Sequence, residues 1–283
     1  MIAQQMSCTR RSVTRLALAA LSAGLVALPA SGCMVMDPPV EETRTSTLAH
    51  VAGSPLSVES VNGSISVATA PDLKEITVVA KLKARTKERL EATKVLAERK
   101  PDNSLSIYVS WPGNAHEGNE GCSFEIRLPD VKGVTLQSSN GSVTVSGSSG
   151  AANIKTSNGS VTISRHDGEV KVKTSNGSIT GSGVNGPASL DTSNGSVTLN
   201  LAPSFAGPVE IDTSNGAVTL GVGSGFAGEL SVKTSNGAIT LPSGPGVKVA
   251  SKSKGSAKLS FGEGGKHSTI TTSNASVTVS RAD

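Results

Sequence analysis

The sequence contains very few aromatic side chains. Phe, Trp and Tyr together make up 2% of its 283 residues. A hydrophobic core must therefore be built from Val, Ile, Leu, Ala and Thr, which suits a narrow solenoid better than a globular enzyme. The same scarcity disfavours a nucleic-acid partner, because single-stranded bases bind by stacking on aromatic rings.

Cysteine is also scarce. Of the three cysteines, Cys8 lies in the N-terminal leader and Cys33 directly follows it. Only Cys122 remains for the folded part, so no internal disulfide framework is possible. Cys122 begins the run CSFEIRL, which predicts a buried strand residue, and no neighbouring base or cation is evident that would make its thiol reactive.

The net charge of +4 is misleading as evidence for a polyanionic partner. Three of the positive charges, on Arg10, Arg11 and Arg15, lie in the leader, so the exported chain would carry +1. No metal or cofactor motif accompanies the charge. We expect no nucleic-acid partner and no cofactor.

Residues 1–32 have the pattern of a signal peptide. A basic segment precedes an apolar run over residues 16–28, which is too short to span a bilayer. Ala30, Ser31, Gly32 and Cys33 then resemble a bacterial lipobox, which predicts lipidation of Cys33. An ordinary secretory leader with an incidental Cys33, or a twin-arginine signal around Arg10, are the alternatives. Residues 33–48 are polar and predict a short tether between the lipid and the fold.

A repeat organises the rest of the chain. The motif Thr-Ser-Asn-Gly, with small variations, recurs at intervals of 18 to 21 residues and is followed by Val or Ile, Thr and a further aliphatic residue. Such a period indicates stacked structural repeats. The predicted turn ladder comprises Asn140, Gly141, Asn158, Gly159, Asn176, Gly177, Asn194, Gly195, Asn215, Gly216, Asn236 and Gly237. A blurred copy is centred on Lys254, the last copy on Asn274, and an early copy on Asn62.

Within each repeat, aliphatic residues alternate with polar ones, which predicts short strands with one buried face. The alternation changes phase at Asn-Gly, which predicts a turn there with glycine at positive φ. A meander of antiparallel hairpins and a parallel β-helix both satisfy the pattern. The identical flanking residues favour a right-handed parallel β-helix, or β-solenoid, with about 18–21 residues per coil and buried Asn amides bonded along the stack. Stacking would bring Lys173 beside Asp191, and Asp212 beside Lys233.

The N-terminal half contains strand patterns of the same kind, so we expect it to form the first strands of the same β-sheet. We expect residues 49–130 to form this N-terminal part and residues 131–283 to form the repeat solenoid. Residues 86–99 lack a strand pattern and predict a short helical insert that ends before Pro101. Residues 81–100 are locally basic, which is typical of a solvated helix and, less often, of contact with anionic headgroups or polymers.

Other candidate sites give weaker signals. His116, Glu117, Glu120 and Cys122 share a loop, but their spacing matches no established metal pattern, so no metal site is predicted. Phe205 and Phe226 recur 21 residues apart and predict a stacked pair in the core or, less often, an exposed strip that binds glycans. The acidic residues clustered in the repeats are Asp191, Glu210 and Asp212, the only candidates for a carboxylate pair that acts on polysaccharides.

The residues above resemble a bacterial domain family of the toast-rack type, of unknown function, to which the word adhesin is applied by analogy. The resemblance covers about residue 49 to the C-terminus. It is carried by SVESVNGSISV, by the insert, by IRLPDVKGVTLQSSNGSVTV and by the serial TSNG units. It implies a β-solenoid, an envelope location and no known catalysis, although fold does not fix function.

These observations predict a non-enzymatic, lipid-anchored envelope protein that presents a polar Ser/Thr/Asn-rich surface. It would lie in the outer membrane if the host has one, facing the periplasm or the cell surface. Its partners would be the membrane, through the lipid, and a glycan, peptidoglycan or an envelope protein. The alternatives are a structural spacer or envelope-stress accessory of a membrane partner and, less favoured, a polysaccharide-acting enzyme.

Overall fold

The computed structural model describes residues 38–281, which form β-strands and one short α-helix. The N-terminal part holds a helix, α1 (Lys87–Ala92), a single turn of 3₁₀ helix (Pro112–Asn114), and seven strands. These strands are β1 (Val40–Ala49), β2 (Leu56–Ser60), β3 (Ile65–Thr69), β4 (Glu75–Ala84), β5 (Lys94–Arg99), β6 (Leu105–Ser110) and β7 (Gly121–Leu128).

The repeats supply sixteen further strands. They are β8 (Lys132–Ser138), β9 (Val143–Ser146), β10 (Ser149–Lys155), β11 (Val161–Asp167), β12 (Val170–Lys173), β13 (Ile179–Asn185), β14 (Ala188–Thr192), β15 (Val197–Leu201), β16 (Val209–Thr213), β17 (Val218–Val222), β18 (Gly228–Thr234), β19 (Ile239–Thr240), β20 (Val247–Lys252), β21 (Ser256–Phe261), β22 (Ser268–Thr272) and β23 (Val277–Arg281).

The strands form two stacks, which we call face A and face B. Face A has the order β5-β6-β2-β8-β10-β12-β14-β16-β22-β18-β21-β20, and face B has the order β1-β4-β7-β3-β9-β11-β13-β15-β17-β23-β19. Each coil gives one strand to each face, with its Asn-Gly turn between them. Successive coils pair in parallel, and antiparallel pairing is confined to the two ends. The β-solenoid is confirmed, and a meander of hairpins is wrong for the repeats.

The core is a column of aliphatic side chains between the two faces. Leu136, Ile154 and Val172 line it from face A, and Val143 and Val161 line it from face B, all almost fully buried. Burial of this kind contributes roughly 25 cal/mol per Å² of apolar surface, so the column supplies the main driving force for folding. Gly181 stands where other coils have an aliphatic residue, and the side chain of Leu199 from the next coil occupies the space beside it.

Buried hydroxyls hold the turn of each coil from the inside. The Thr156 hydroxyl accepts a hydrogen bond from the Gly159 amide at 3.3 Å and donates one to the carbonyl of Gly141 in the preceding coil at 3.1 Å. The same donation to the neighbouring coil recurs at 2.9–3.3 Å from Ser138, Thr174, Thr192, Thr213, Thr272 and Thr234. Each hydroxyl thus satisfies backbone groups that would otherwise be buried without partners.

Asparagine amides form a second ladder on the outside of the same turns. Each Asn Nδ2 donates to the Oδ1 of the neighbouring Asn at 2.5–2.9 Å, through eight asparagines. At the N-terminal end, Asn62 donates to the carbonyl of Glu120 at 2.9 Å. The prediction that these amides are buried is wrong: the repeat asparagines are exposed, and the buried polar groups are the hydroxyls two residues earlier.

The turn glycines are required for a different reason from the one predicted. None of the six repeat glycines from Gly141 to Gly237 has a positive φ; among the turn asparagines, only Asn62 does. Instead, a Cβ at Gly159 would overlap the carbonyl oxygen of Gly141, and the other turn glycines meet the coil before them in the same way. The coils approach so closely at these six glycines that a Cβ has no room there, whereas the last copy carries Ala275 at the equivalent position.

The order of the coils differs from the order of the sequence. Strands β22 and β23, which belong to the last copy, lie between the coil of β16 and β17 and the coil of β18 and β19. At the other end, the coil of β2 and β3 lies between β6 and β7 on one side and β8 and β9 on the other. The copy at Lys254 is not a coil at all. It is an antiparallel hairpin, β20–β21, which pairs with β18.

The N-terminal elements also correct the prediction. The fold begins at Val40, inside the segment expected to be a tether, because β1 pairs with β4 along its whole length. The predicted helix over residues 86–99 covers only Lys87–Ala92, and the remainder is β5, which pairs with β6. The helix is capped by the Thr86 hydroxyl, which accepts from the Arg89 amide.

The predicted signal peptide and Cys33 lie outside the described residues. Within residues 38–281, no helix is long and apolar enough to cross a membrane.

Candidate interaction surfaces

The outer surface of face B carries a column of hydroxyl side chains, one per coil, made of Ser66 and seven threonines, which we call the threonine column. In register across eight strands, the column runs through Ser66, Thr144, Thr162, Thr180, Thr198, Thr219, Thr278 and Thr240. Neighbouring strands in a sheet lie about 4.8 Å apart, so the hydroxyls repeat at that spacing along the stack. The side chains are exposed or half-buried.

Two further columns of small polar residues flank the threonines on face B. One consists mainly of serines two residues earlier in each coil, such as Ser142, Ser160 and Ser178, and the other of residues two positions later, such as Ser164 and Ser182. Within the described chain from β3 to β19, these three columns contain no charged side chain. They form a hydroxyl-rich strip about three residues wide, bordered by Arg165, whose Nη2 donates to Ser146 Oγ at 2.8 Å.

Charge is concentrated on the outer surface of face A. The predicted pair of Lys173 and Asp191 is confirmed, with Nζ and Oδ2 2.9 Å apart, and this hydrogen bond raises the pKa of Lys173. The predicted neighbours Asp212 and Lys233 are separated, because β22 places Thr271 between them. The sequence period alone could not show this, since it does not report the order of the coils.

A shallow groove of about 440 Å³ crosses face A. Pro187 and Pro208 lie along it, Glu169 and Lys171 at one end and His267 at the other. Glu169 and Lys171 form an ion pair of 2.7 Å. The groove combines a small apolar floor with charged ends, which is a modest site for a polar ligand and lies on the opposite face from the threonine column.

The acidic residues of the repeats are not assembled into an enclosed site. Asp191 and Asp212 are cross-strand neighbours on face A, and Glu210, two residues before Asp212, pairs with Ser189 and lines the shallow groove described above. Asp191 is already paired with Lys173, and Glu210 and Asp212 are exposed. Carboxylates that cleave glycosidic bonds flank a bound sugar, whereas these lie on an open sheet surface.

The loop predicted to hold His116, Glu117 and Glu120 is built around an ion pair. The carboxylate of Glu120 is buried and accepts bonds from Arg89 Nε at 2.7 Å and Nη2 at 2.8 Å, and from the Glu117 amide at 2.8 Å. The Arg89 side chain lowers the pKa of Glu120 to about 2. Both carboxylate oxygens are therefore used in structure, and residues 38–281 contain no group of three or more metal-ligating side chains.

The basic stretch over residues 81–100 does not form one patch. Arg89 is held by Glu117 and Glu120, and Lys87 lies 3.7 Å from Glu91. Arg99 sits elsewhere and donates to the carbonyls of Ala49 and Asn103. The segment is divided among β4, α1 and β5, and part of its charge is neutralised locally.

Cys122 is buried in β7, as predicted. Burial raises the pKa of its thiol to about 12, so the reactive thiolate is not formed near neutral pH. The residue is a small hydrophobic part of the core.

The sequence analysis did not predict the buried contact between Ser148 and His166. Ser148 Oγ lies 2.8 Å from His166 Nδ1, and both residues are almost fully buried. Burial lowers the pKa of His166, which favours its neutral form. The pair lacks access to substrate, so we interpret it as structural. The 18-residue spacing between the two residues is the signal that could have placed them on neighbouring coils.

The predicted pair of Phe205 and Phe226 does not form. Phe226 is buried and packs edge-to-face against Phe261 of the β20–β21 hairpin, with ring centroids 5.1 Å apart. Phe205 is only partly buried against the core. Residues 38–281 therefore present no aromatic strip built from Phe205 and Phe226, and the pair of Phe226 and Phe261 fixes the terminal hairpin to the stack.

The stacked coils, the hydroxyl corners and the N-terminal insert match a known family over most of the chain. The Toastrack DUF4097 profile matches residues 47–280. The chain belongs to the Toastrack DUF4097 family. The family's function is unknown, so membership establishes the fold and leaves the activity open.

Solved structures similar to this Toastrack chain are distant in sequence. A candidate adhesin from Bacteroides fragilis is 12% identical, with a TM-score of 0.44, 87% of this chain and 100% of that chain covered. A candidate cell adhesion protein from Clostridium sporogenes is 13% identical, with a TM-score of 0.36 and coverage of 86% and 100%. A candidate adhesin from Parabacteroides distasonis is 11% identical, with a TM-score of 0.32 and coverage of 85% and 97%. No curated protein matches the chain.

Proposed function

We propose that this Toastrack protein is a non-enzymatic lipoprotein of the bacterial cell envelope whose face B binds polar, hydroxyl-rich polymers such as envelope glycans or the glycan strands of peptidoglycan. The observation that carries the proposal is the threonine column in register across eight strands of face B. A periodic polymer can make the same contact at each coil, so weak individual hydrogen bonds add along the stack.

The rigidity of the face supports this role. The hydroxyl and amide ladders tie each coil to the next on both sides of the turn. Binding to a surface that is already ordered costs little conformational entropy, which leaves more of each hydrogen bond available as affinity. The serine columns beside the threonines supply additional donors and acceptors without the desolvation penalty of buried charge.

The binding test compares hydroxyl removal on the two faces. In Thr162→Val with Thr180→Val, valine keeps the strand preference and the shape of face B but removes two hydroxyls of the column. The matched control removes two exposed threonines of face A, in Thr135→Val with Thr271→Val. We expect retention of the full-length protein on purified peptidoglycan sacculi, or on a glycan array, to fall severalfold for the face B variant only. Equal retention by both variants contradicts the proposal.

Attachment to the membrane is proposed to occur through Cys33. The support is the run Ala30, Ser31, Gly32 and Cys33 after a basic and then apolar leader. Globomycin should block processing, and mass spectrometry of the mature N-terminus should show an acylated cysteine. A mature chain that begins elsewhere, or an unmodified Cys33, would remove the anchor from the proposal while leaving face B to be tested separately.

A structural spacer or envelope-stress accessory is the second candidate. The continuous ladders through eight asparagines favour it, because seven coil steps of about 4.8 Å give a stiff stack about 34 Å long. A spacer would tolerate the face B substitutions in a whole-cell phenotype. Protease treatment of intact cells determines the orientation: degradation supports a surface-facing binder of external glycans, whereas protection supports a periplasmic protein, either a peptidoglycan binder or a spacer.

A further inference from the structure

We infer that the C-terminal end of face A is a binding surface for an acidic polysaccharide. The surface, which we call the lysine cluster, consists of Lys233 on β18, Lys258 on β21, Lys248 on β20, and Lys254 in the turn of the β20–β21 hairpin. It lies on the opposite face from the threonine column and is independent of the function proposed for that column.

The strand register places three of these lysines along one diagonal. Lys233 pairs with Ser256, Lys258 pairs with Ser231, and Lys248 pairs with Ser260. Residues directly opposite each other share a face, and diagonal neighbours two positions along lie about 7–8 Å apart. Lys233, Lys258 and Lys248 are therefore spaced at that interval on the outer surface, and all are exposed.

The lysine cluster forms no salt bridge within the described chain and carries more positive than negative charge. None of its members lies within salt-bridge distance of a carboxylate in residues 38–281. Lys233 would have neighboured Asp212 if the coils followed the sequence, but β22 intervenes and presents Thr271. Glu229, on the same strand, pairs with Ser260 and therefore lies diagonally beside Lys258, as Lys233 does on the other side. Its carboxylate also lies 3.7 Å from His267. Like charges at this spacing repel one another, so the arrangement favours an anionic partner.

Protection of a sheet edge explains only part of the cluster. Lysines commonly guard exposed edge strands against pairing with other chains. Lys248 lies on β20, which is such an edge, and Lys254 lies in its turn. Lys233 and Lys258, however, lie on β18 and β21, each of which is paired on both sides. Their positions on inner strands call for another explanation.

The residues next to the lysines indicate which class of polyanion this surface would bind. Ser231, Ser256 and Ser260 alternate with them in the same register and can bond sugar hydroxyls. No aromatic residue lies in the outward positions of these strands, which disfavours stacking of nucleic-acid bases. The exposed Val249 pairs with the buried Leu259 and belongs to the inner side of the hairpin, so it does not help this surface enter a bilayer.

The test measures binding of the full-length protein in detergent to polygalacturonic acid, with dextran as the neutral polymer. The variant Lys233→Gln with Lys258→Gln removes two charges from the cluster. The control Lys132→Gln with Lys155→Gln removes the same charge from exposed lysines elsewhere on face A. Each exposed ion pair contributes at most about fivefold in affinity, so we expect binding to weaken by roughly five- to twentyfold in the cluster variant and to change little in the control.

Three results would overturn the inference. The first is no measurable binding to polygalacturonic acid at low salt. The second is equal weakening in the cluster variant and the control, which would indicate net charge rather than a surface. The third is tighter, cluster-dependent binding to anionic phospholipid vesicles or to an oligonucleotide, which would assign the lysines to another class of partner. Unchanged thermal unfolding of both variants shows that the substitutions act on binding.

Discussion

Asn274 donates a hydrogen bond of 2.8 Å to Asn215, 59 residues earlier in the chain. Asn236, which precedes Asn274 in the sequence, then bonds to Asn274 from the other side at 2.9 Å. The last copy of the repeat is thus inserted between two earlier ones. The C-terminal coil is held on both sides, and the stack ends instead in the coil of Asn236, which the β20–β21 hairpin covers on face A.

The buried hydroxyls should matter more for stability than the threonines on the surface. Thr174→Val keeps the volume but leaves the Gly177 amide and the Gly159 carbonyl without the partners they have now. A buried group left unsatisfied costs about 1–3 kcal/mol, so we expect a loss of that order in the free energy of unfolding by urea. The control Thr180→Val, in the exposed column, should change it by less than about 0.5 kcal/mol. Similar losses at the two positions would contradict this explanation of the corner.

A methyl group at a turn glycine should be poorly tolerated for steric reasons. In Gly159→Ala the new Cβ would overlap the Gly141 carbonyl, so the coils must separate at this corner. We expect a loss of more than about 2 kcal/mol, comparable with overpacking of a core, and faster amide hydrogen exchange in both coils. Ser160→Ala, one residue away and exposed, is the control and should be nearly neutral. A neutral Gly159→Ala would show that the contact is looser than described.

The N-terminal end should lose stability in acid through Glu120. Arg89 holds the pKa of Glu120 at about 2, below its ordinary value of 4.5. A carboxyl with a lowered pKa in the folded state stabilises fully above the unfolded value and loses that contribution as the pH falls from about 4.5 towards 2. Glu120→Gln should cost about 2 kcal/mol at neutral pH, as expected for lost bonds to a charged group, and should flatten the stability profile over that range. Stability of the wild-type protein that does not change between pH 5 and 3 argues against the ion pair.

Much of the fold follows from the sequence because the repeat is strict. The alternation around Leu136, Ile154 and Val172 identifies the inward positions of strands in face A, and the structure buries all three. The equal spacing also predicts the parallel stack and the contact of Lys173 with Asp191. These features depend on local patterns that are repeated from one coil to the next.

The order of the coils could not be read in the same way. Each copy offers the same hydrogen bonds to any neighbour. The period therefore does not show whether the coil of Asn274 lies at the end of the stack, beside Asn236 only, or is inserted between the coils of Asn215 and Asn236. The degenerate copy centred on Lys254, by contrast, contains a residue that indicates its departure from the stack. Lys252 stands where the other copies have the buried Ser or Thr, and a lysine is too costly to bury without a partner. That substitution explains why residues 247–261 leave the stack.

The N-terminal strand β1 lacked a usable pattern for a different reason. Its side chains are mostly exposed on both sides, so they show no alternation, and the strand is held by backbone pairing with β4. The polar surface could be predicted in part, because the many Ser and Thr residues of the repeats indicate a hydroxyl-rich face. The lysine cluster was hidden because it depends on the inserted coil and on the hairpin.

Cysteine cross-linking tests the inserted coil most directly. The Ser273 amide bonds to the Ser214 carbonyl, so the two residues lie on adjacent coils about 4.8 Å apart, within the range a disulfide can bridge. Ser214 and Ser235 lie two coils apart, at about 9.6 Å, beyond that range. The variant Ser214→Cys with Ser273→Cys should form an intramolecular disulfide under mild oxidation, and Ser214→Cys with Ser235→Cys should not. Efficient cross-linking of positions 214 and 235 with none between 214 and 273 would show that the coils stack in sequence order and would contradict this account.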